Sequence, residues 1–338
     1  MENLDLRSTA NLLNKTFKPK TLVSVEYLEW QYHENPFGPA CVGYLLEKNE
    51  QLSNYALIPK IFKNHLGEKV TLGIGVDLAV SPDSRGKGLF RKTVENSYKA
   101  GIDGNLDGIL GVANSQSSPR MIEAMGWKKL PAIDFRLLKL SKSRTHMKTL
   151  RFEFNQIEQL TKEGVLDFKT LTPSSGFSPI WNKELLKWRL SRPGADYYLH
   201  VSESALLIST KISISGLKIA ILLKTLPLNT VHTPIEIAPL ASSIARYHRT
   251  PFVTYWGKNE SFQMAGIKVP RKFQPSPLDL VVYFFDSDHN FELNEFELLD
   301  FDAFKIPNEK DQARILFFLW KLQLLFQLSM KRSHFQML

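Results

Sequence analysis

The sequence predicts an α+β protein made of two similar domains, and three observations support this. Apolar stretches with strand character alternate with amphipathic helices along the chain. A strand–turn–helix–strand unit spans residues 70–113, which implies parallel pairing of its two strands with a right-handed crossover. Motifs of the first half recur in the same order in the second half. We therefore expect domains at residues 1–145 and 150–305, followed by a C-terminal helix within residues 308–338.

The first half begins with two helices and an antiparallel meander. Ser24 is a suitable N-cap for the second helix, which the prolines and glycine of residues 35–39 end. The third strand contains Gly73 and Gly75, and glycine inside a strand indicates a bulge or a close backbone approach. The predicted elements are helices at 4–16 and from residue 24, and strands at 41–46, 55–61 and 70–80.

The stretch from Val76 to Tyr98 carries the strongest functional signal. A buried strand runs into the turn Arg85-Gly86-Lys87-Gly88, and a helix follows over residues 89–100. Glycines at a helix start let backbone amides approach an anion, and the helix dipole favours negative charge there. Arg85 and Lys87 add two cations. The turn therefore predicts a phosphate cradle, and a buried strand at 106–113 completes the unit.

The second half repeats the scaffold of the first half but not its turn. The connection that should copy the turn reads PLNTVHTP, between a strand at 217–226 and a helix at 235–247. It has two prolines and no glycine or arginine, so we expect only the first half to bind the phosphate ligand. Two pairs of motifs show the repeat. Leu28-Glu-Trp30 resembles Leu186-Lys-Trp188. The strand at 108–114 and the later Gly126 resemble the strand at 251–257 and the later Gly266.

The composition limits the classes of function. A formal net charge of +9 and a pI of about 9.4 suit anionic small molecules. The single cysteine, Cys41, excludes an intramolecular disulfide and a CxxC metal site. The histidines lack metal-ligand spacing, so we expect no metal. The N-terminal residues show no signal-peptide pattern, and we expect a cytoplasmic protein.

Two segments bear on the partners of the protein. Residues 139–151 are basic and without periodicity, and no interleaved aromatic residues offer base stacking. We therefore interpret them as a surface strand end or a linker rather than a nucleic-acid arm, and expect no nucleic-acid partner. Residues 311–331 predict an apolar helix that Arg314 and Lys321 interrupt, which argues against an integral membrane span. A packed helix or a homodimer interface is expected there, with a membrane-surface helix as the alternative.

The phosphate turn and the unit after it resemble a known family. Residues 85–90 follow a strand that ends in LAVSP, and are similar to the acyl-CoA pyrophosphate loop of the GCN5-related N-acetyltransferase (GNAT) superfamily. Asn114 with Ser117, and then Gly126-Trp127, resemble the next motif of that family. Phe90 differs, because the family usually has glycine or alanine there. The layout resembles tandem GNAT proteins in which one half keeps the loop, and the likeness is specific over about residues 55–138.

The resemblance implies a fold and a cosubstrate. Each domain would be a mixed, largely antiparallel sheet with a splayed parallel pair, flanked by helices. Acyl-CoA would bind with its pantetheine arm along the strand edge at Leu78 and Val80, and with its thioester between the strands of Leu78 and Gly111. Asn114 and Ser117 would contact it as well. The pyrophosphate would lie on the backbone amides of Arg85, Gly86, Lys87, Gly88, Leu89 and Phe90.

The resemblance also implies direct attack of an amine on the thioester, which requires a base and an acid. A backbone amide of the Leu78 strand would stabilise the oxyanion. Ile74 and Val76 stand where many family members place a carboxylate or histidine. Met121 or Ile122 stands near the position of the usual acid tyrosine. The usual groups for proton transfer are therefore absent from their usual positions.

Three residues remain as catalytic candidates. Asp77 is the nearest carboxylate and a candidate base, although strand alternation places it opposite to Val76 unless a bulge intervenes. His33 is a second candidate base. Asn114 is the third candidate, and its alternative role is to anchor the turn or the pantetheine arm.

The acceptor is a small-molecule amine in this interpretation. We expect Trp30, Tyr32 and Asn35 to contact it, together with Tyr255 and Trp256 from the second half; the alternative for Trp30 is a core position. The predicted function is N-acyl transfer to a nucleotide-linked (dTDP or UDP) amino sugar of surface-polysaccharide biosynthesis. The alternative is a CoA-binding or regulatory tandem GNAT protein without turnover.

Overall fold

The computed structural model describes residues 4–19, 21–114, 117–143, 145–164, 166, 176–214, 216–228, 233–274, 278–286 and 290–301. The predicted C-terminal helix at 308–338, and with it the proposed dimer contact, lies outside the described residues. The fold class is α+β, as the sequence predicts: mixed sheets with helices against them. Within the described residues, no helix has the length and apolar character that a membrane span requires.

The first half follows the predicted order of elements. The side chains of Asp5 and Ser24 cap the first two helices by accepting hydrogen bonds from backbone amides, which confirms Ser24 as an N-cap. The elements are α1 (Leu6–Phe17), α2 (Val25–Tyr32), β1 (Cys41–Glu47), β2 (Glu50–Asn64), β3 (Lys69–Val80), α3 (Leu89–Asp103), β4 (Gly108–Ala113), α4 (Ser118–Met125), β5 (Lys128–Lys129) and β6 (Asp134–Leu138).

The second half repeats this order with shorter strands at its start. The basic segment at 139–151 ends in an edge strand, as one of its two interpretations expects. The elements are β7 (Lys148–Arg151), α5 (Gln156–Lys162), β8 (Phe177–Pro179), α6 (Lys183–Leu190), β9 (Tyr198–Val201), β10 (Ala205–Ile214), β11 (Leu217–Pro227), β12 (Ile235–Glu236), α7 (Ile237–His248), β13 (Val253–Asn259), β14 (Phe262–Gln263), β15 (Gly266–Lys268), β16 (Asp279–Phe284) and β17 (Glu295–Glu297).

The two halves form two sheets of matching topology. The first sheet has the order β1-β2-β3-β4-β16-β5, and the second has β7-β9-β10-β11-β13-β6-β15. Each sheet contains one parallel pair, β3 with β4 and β11 with β13, and antiparallel neighbours elsewhere along these orders. This is the mixed sheet with a parallel pair that the sequence predicts for each half.

The two sheets exchange one strand. β16 belongs to the second half of the chain but lies between β4 and β5 of the first sheet. β6 belongs to the first half but lies between β13 and β15 of the second sheet. The structural units therefore cross the predicted domain limits at residues 145 and 150, because each sheet takes an internal strand from the other half.

Each exchanged strand starts with an aspartate that is paired with a lysine of the neighbouring edge strand. Asp279 forms an ion pair with Lys129 at 2.9 Å, and Asp134 forms one with Lys268. Asp279 lies opposite Ala113 of β4, and Asp134 lies opposite Gly257 of β13. The exchange is thus symmetrical. The aspartate–lysine pair is a third repeated feature, in addition to the two pairs of motifs in the sequence.

The main hydrophobic core lies between the halves. It joins side chains from α1, α2, β2 and β3 to side chains from α6, β10 and β11. At its centre the indole rings of Trp30 and Trp188 stack with centroids 5.1 Å apart. The two halves therefore share one core, which fixes β3 of the first half against α6 of the second.

Candidate active site

The phosphate turn connects β3 to α3 and is open to solvent. A short 3₁₀ turn at Pro82–Ser84 leads into Arg85, and Gly86 and Gly88 adopt positive φ values of 82° and 71°. A Cβ atom at either glycine would meet no heavy atom within 4 Å. Arg85 and Lys87 are exposed beside them. Two exposed glycines, two cations and the start of a 15-residue helix are the features that the predicted phosphate cradle requires, while the Arg85 amide donates to the Pro82 carbonyl oxygen at 3.4 Å.

Phe90 does not fill the cradle. Its side chain is half-buried and packs against the core under α3, with the guanidinium of Arg120 5.5 Å from its ring centroid. Leu89, the first helical residue, is also half-buried. The position where this sequence differs from the family pattern therefore leaves the amide side of the turn free.

A bulge opens the sheet next to the cradle. The pairing of β2 with β3 shifts between Asn54 and Ala56, and Asp77 on the facing strand has a φ of 55°. The parallel pairing of β3 with β4 ends at Gly75 and Gly111. Beyond that point the described residues place no strand between β3 and β4. The two strands thus separate towards the cradle, as the resemblance implies.

The bulge lies at Asp77 rather than at either glycine of the strand. Gly75 marks a close approach, because a Cβ there would lie 2.1 Å from the Tyr55 hydroxyl oxygen. The bulge also overturns the simple alternation of β3. Val76 faces the core shared with α2, and Asp77 faces α2 as well, where Tyr32 donates a hydrogen bond to its Oδ2 at 3.2 Å. Asp77 therefore lies on the same side of the sheet as Val76, whereas regular alternation would place it on the opposite side.

A buried chain of hydrogen bonds supports Asp77. Asn54 Nδ2 donates to the Tyr32 hydroxyl at 3.0 Å and to the Asp77 carbonyl oxygen at 3.2 Å. Gln51 donates to Asn54 Oδ1, and Thr9 donates to Gln51 Oε1. Each polar group of this network is matched by a partner from another element, which fixes the bulge in place.

Tyr32 belongs to this network and not to an open acceptor surface. Its side chain is 1% exposed. Burial, and next the charge of Asp77, raise the pKa of its phenol well above the usual range, so it is a neutral hydrogen-bond donor. Its hydroxyl reaches Asp77, and its burial argues against the predicted contact with the substrate.

A small cavity lies between the halves beside β3. Its volume is about 20 Å³, enough for about one water molecule. Ile74 and Val76 line it from the first half, and Arg189 from α6 lines it from the second. The cavity thus borders the strand positions at which the family places its base.

Two buried charged groups also line this cavity. Lys60 Nζ donates to Asp300 Oδ1 at 2.9 Å, and both side chains are at most 5% exposed. Burial lowers the pKa of Lys60 to about 8, although Asp300 opposes this shift. Burial disfavours the ionised form of Asp300, but Lys224 and Lys60 together lower its pKa to about 2. Asp300 remains a carboxylate and joins the first half to the second.

The structure buries the other predicted acceptor residues. Trp30 is 1% exposed against Trp188, and Asn35 donates from Nδ2 to the Pro59 carbonyl oxygen at 2.8 Å. Tyr255 lies in the core under α7, and Trp256 packs against Phe296 and Phe301. These four side chains are only 1–5% exposed and pack the core or shape a turn, which argues against the predicted substrate contact.

His33, Asn114 and Ser117 remain accessible. His33 is exposed at the end of α2, with Nδ1 2.9 Å from Glu29 Oε1. Asn114 Oδ1 accepts a hydrogen bond from the Ser117 amide at 3.1 Å, and Ser117 Oγ accepts one from the Asn114 amide at 3.2 Å. These reciprocal bonds shape the turn after β4, which agrees with the anchoring alternative for Asn114.

Sequence reasoning missed the buried ion network between the halves. Its signal is present in the sequence: Lys60 and Lys224 each directly follow an apolar run of their strand, residues 56–59 and 219–223. A charged side chain in such a strand requires an acidic partner when it is buried. Asp300 supplies that partner to both lysines, with Oδ2 3.0 Å from Lys224 Nζ.

Comparisons with known proteins find likeness in structure alone. No family model matches the sequence. No curated protein matches it either. A probable N-acyltransferase from Enterococcus faecalis V583, a conserved protein of unknown function, is similar at a TM-score of 0.56 and 13% identity, over 83% of this chain and 70% of the other.

Two further solved structures are similar over the same 83% of this chain. One is a GCN5-related N-acetyltransferase from Anabaena variabilis ATCC 29413, with a TM-score of 0.53, 10% identity and 70% of that chain covered. The other is a GCN5-related N-acetyltransferase from Kribbella flavida, with a TM-score of 0.55, 10% identity and 69% covered. At these identities the likeness shows the fold, and the chain has the fold of GCN5-related N-acetyltransferases.

Proposed function

We propose that the protein is an acyl-CoA-dependent N-acyltransferase whose only cosubstrate site lies in the first half. One observation carries the proposal: the open cradle at Gly86 and Gly88 follows directly on the strand whose bulge at Asp77 separates β3 from β4. The cradle fits a pyrophosphate, since Gly86 and Gly88 are exposed and the cationic side chains of Arg85 and Lys87 flank them. The separated strand edge fits an extended, amide-containing arm.

Each part of the opening has a proposed role. The amides of residues 85–90 would hold the pyrophosphate. The edge of β3 at Leu78 and Val80 would hydrogen-bond to the pantetheine arm, and Asn114 and Ser117 border the same opening from β4. The reacting thioester would lie between Leu78 and Gly111, where the strands part.

Asp77 is the proposed base. It would take a proton from the substrate ammonium group, which frees the nitrogen lone pair to form the C–N bond as the C–S bond breaks. The sulfur leaves as a thiolate, and the second proton that the nitrogen loses as the amide forms neutralises this thiolate. A β3 amide near Leu78 would stabilise the oxyanion. Tyr32 would act through Asp77 as a positioning residue, because its hydroxyl holds Oδ2 on the α2 side.

The acceptor would enter on the α2 side of β3, next to the cavity that Ile74, Val76 and Arg189 line. A nucleotide-linked amino sugar (dTDP or UDP) of surface-polysaccharide biosynthesis is the proposed class, supported by the net charge of +9, which suits a diphosphate. A cytoplasmic location is proposed with it, since acyl-CoA and nucleotide sugars are cytoplasmic metabolites.

One observation favours a second function, CoA binding without turnover. Ile74 and Val76 are apolar at the positions of the usual base, and the proposed base is already hydrogen-bonded to Tyr32. Such a protein would bind CoA and sense or store it.

Thiol release tests the proposal against this alternative. Acetyl-CoA and longer acyl-CoAs are incubated with an amine panel that includes dTDP- and UDP-amino sugars, and free CoA is measured. We expect amine-dependent release with at least one acceptor. CoA binding without any release supports the second function, and no CoA binding contradicts both.

A further inference from the structure

In the first half, β3 and β4 separate beyond Gly75 and Gly111, and we call this gap the acyl-CoA opening. The second half contains its counterpart between β11 and β13. The exchanged strands fix the correspondence, because Asp279 faces Ala113 in the first sheet and Asp134 faces Gly257 in the second. Counted from there, the last parallel pair of the first half, Gly75 with Gly111, corresponds to Leu222 with Tyr255.

The bulge is also repeated. The pairing of β10 with β11 shifts by one residue between Ile208 and Ser209, directly after the parallel pairing of β11 ends. Along β11, Lys224 then takes the place of Asp77, and Thr225 takes the place of Leu78. Both halves therefore have a bulge close to the point where the parallel pairing ends, at Leu223 in β11 and at Asp77 in β3.

In the second half a strand of the chain itself fills this separation. β17 pairs antiparallel with β13, with Gly257 opposite Glu297 and Asn259 opposite Glu295. Gly257 also faces β6, so β17 lies on the other side of β13, towards β11. The opening is thus closed from the β13 side by regular strand pairing.

Glu297 of β17 and Asn259 of β13 form hydrogen bonds to Thr225 of β11. The Thr225 amide donates to Glu297 Oε2 at 3.2 Å, and the Thr225 hydroxyl donates to Oε1 at 2.8 Å. Asn259 donates from Nδ2 to the Thr225 carbonyl oxygen at 3.0 Å. Thr225 corresponds to Leu78, whose edge is the proposed partner of the pantetheine arm. The same backbone position is therefore satisfied by a carboxylate of the chain.

Charge holds this strand in place. Lys224 is fully buried and contacts Glu295, Glu297 Oε2 at 3.1 Å and Asp300 Oδ2 at 3.0 Å. The three carboxylates lie close enough to hold a metal ion, but the Lys224 ammonium lies among them. A buried cation now stands where the first half has the proposed base, and it requires the acidic strand as its partner.

We infer that residues 295–297 are a permanent internal occupant of the second opening, in the place that the pantetheine arm takes in the first half. The inference uses the proposed acyl-CoA site as its reference. The chain then binds one acyl-CoA, in its first half. The occupying strand continues into Asp300 and Phe301, which line the cavity next to β3, so it also supports the acceptor side of the first half.

Hydrogen exchange of the full chain, read by mass spectrometry with and without CoA, tests the occupancy. We expect the peptide at 222–227 to exchange slowly in both conditions. The peptide at 76–80 should exchange at least tenfold faster without CoA and slow down when CoA is added. Equal fast exchange of the two peptides without CoA would overturn the inference.

A pair of variants sharpens this test. Glu297→Ala removes both bonds to Thr225 and should raise the exchange rate at 222–227, whereas the exposed Glu184→Ala should leave it unchanged. If Glu297→Ala does not fold, the exchange rates of peptides 222–227 and 76–80 in the unchanged protein still show whether the second opening is occupied.

Binding stoichiometry separates this inference from the proposed function. Calorimetric titration with CoA should give one equivalent per chain. Two equivalents, or one remaining equivalent in Gly88→Glu, would overturn the internal occupant. Absence of CoA binding together with slow exchange at 222–227 would overturn the proposed function and support the occupant.

Discussion

The indole N–H groups of Trp30 and Trp188 each donate a hydrogen bond to the backbone carbonyl oxygen of the other residue, at 2.7 and 2.8 Å. The two rings stack with centroids 5.1 Å apart. A buried indole N–H needs an acceptor, and here the two copies of one repeat position satisfy each other. This reciprocity places an approximate two-fold axis between them, and it explains why neither tryptophan is available to a substrate.

The pair should act as one unit in stability. Trp30→Phe and Trp188→Phe each remove one of the two reciprocal hydrogen bonds, which is worth about 0.5–1.5 kcal/mol; the Trp188 carbonyl oxygen keeps the Ser191 amide and hydroxyl as donors. We expect similar losses for the two variants and a double variant that loses less than their sum, since both substitutions disrupt the same contact. Urea unfolding measures this. Phe17→Ala, at a 42% exposed position, is the control. Unequal or additive losses would contradict the symmetry.

The strand exchange predicts that neither half folds alone. A fragment ending at residue 143 lacks β16, and the remaining fragment lacks β6, so each sheet loses an internal strand. We expect each fragment to be insoluble or unfolded by circular dichroism, and co-expression to recover a soluble complex. A folded, monomeric single fragment would show that the exchange is not required.

The cradle predicts a sharp effect at Gly88. Gly88→Glu places a negative charge in the cradle and should weaken CoA binding at least 100-fold by calorimetry. Gly194→Glu is the matched control, because Gly194 also has a positive φ, 74°, and open space around a Cβ. Equal affinity of the two variants would remove the cradle from the site.

Asp77 should be required for turnover and not for CoA binding. Asp77→Asn keeps the shape of the bulge and removes the base, so we expect kcat to fall about 100-fold or more with little change in CoA affinity. Tyr32→Phe should lower kcat less than Asp77→Asn, because it removes only the hydrogen bond that orients the Asp77 carboxylate. The exposed Asp196→Asn is the control. Activity of Asp77→Asn within twofold of the original across pH would exclude Asp77.

The parts that the sequence predicts well are local. The cradle is made of adjacent residues before α3, and Ser24 is the N-cap of α2, directly before that helix. Each feature therefore depends on only a few neighbouring positions. The strand exchange is not local: β6 and β16 are short strands that both begin with an aspartate, and nothing in their own sequences assigns either to one sheet. Long-range packing alone decides between the two.

The candidate site shows the same division. The position of Asp77 depends on one extra residue in β3, and a strand pattern does not show where the partner strand shifts. The predicted acceptor residues of the first half are aromatic or amide side chains within or just after α2. Trp30, Tyr32 and Asn35 are placed by contacts to Trp188, Asp77 and Pro59, which no spacing along the chain predicts.

A buried histidine pair in the second sheet makes stability depend on pH. Ser209 Oγ lies 2.7 Å from His200 Nε2 and 2.8 Å from His248 Nε2. Burial lowers the pKa of His200 to about 3 and that of His248 to about 4. Between about pH 6.5 and these values the unfolded chain binds protons that the folded chain does not, so stability falls as pH falls through this window.

For the buried His200 this slope reaches about 1.4 kcal/mol per pH unit. Urea unfolding at pH 7.5, 6.0 and 5.0 should show a progressive loss that His200→Gln reduces. His65→Gln, at an exposed position, should keep the slope of the original protein. A slope unchanged by His200→Gln would contradict this assignment.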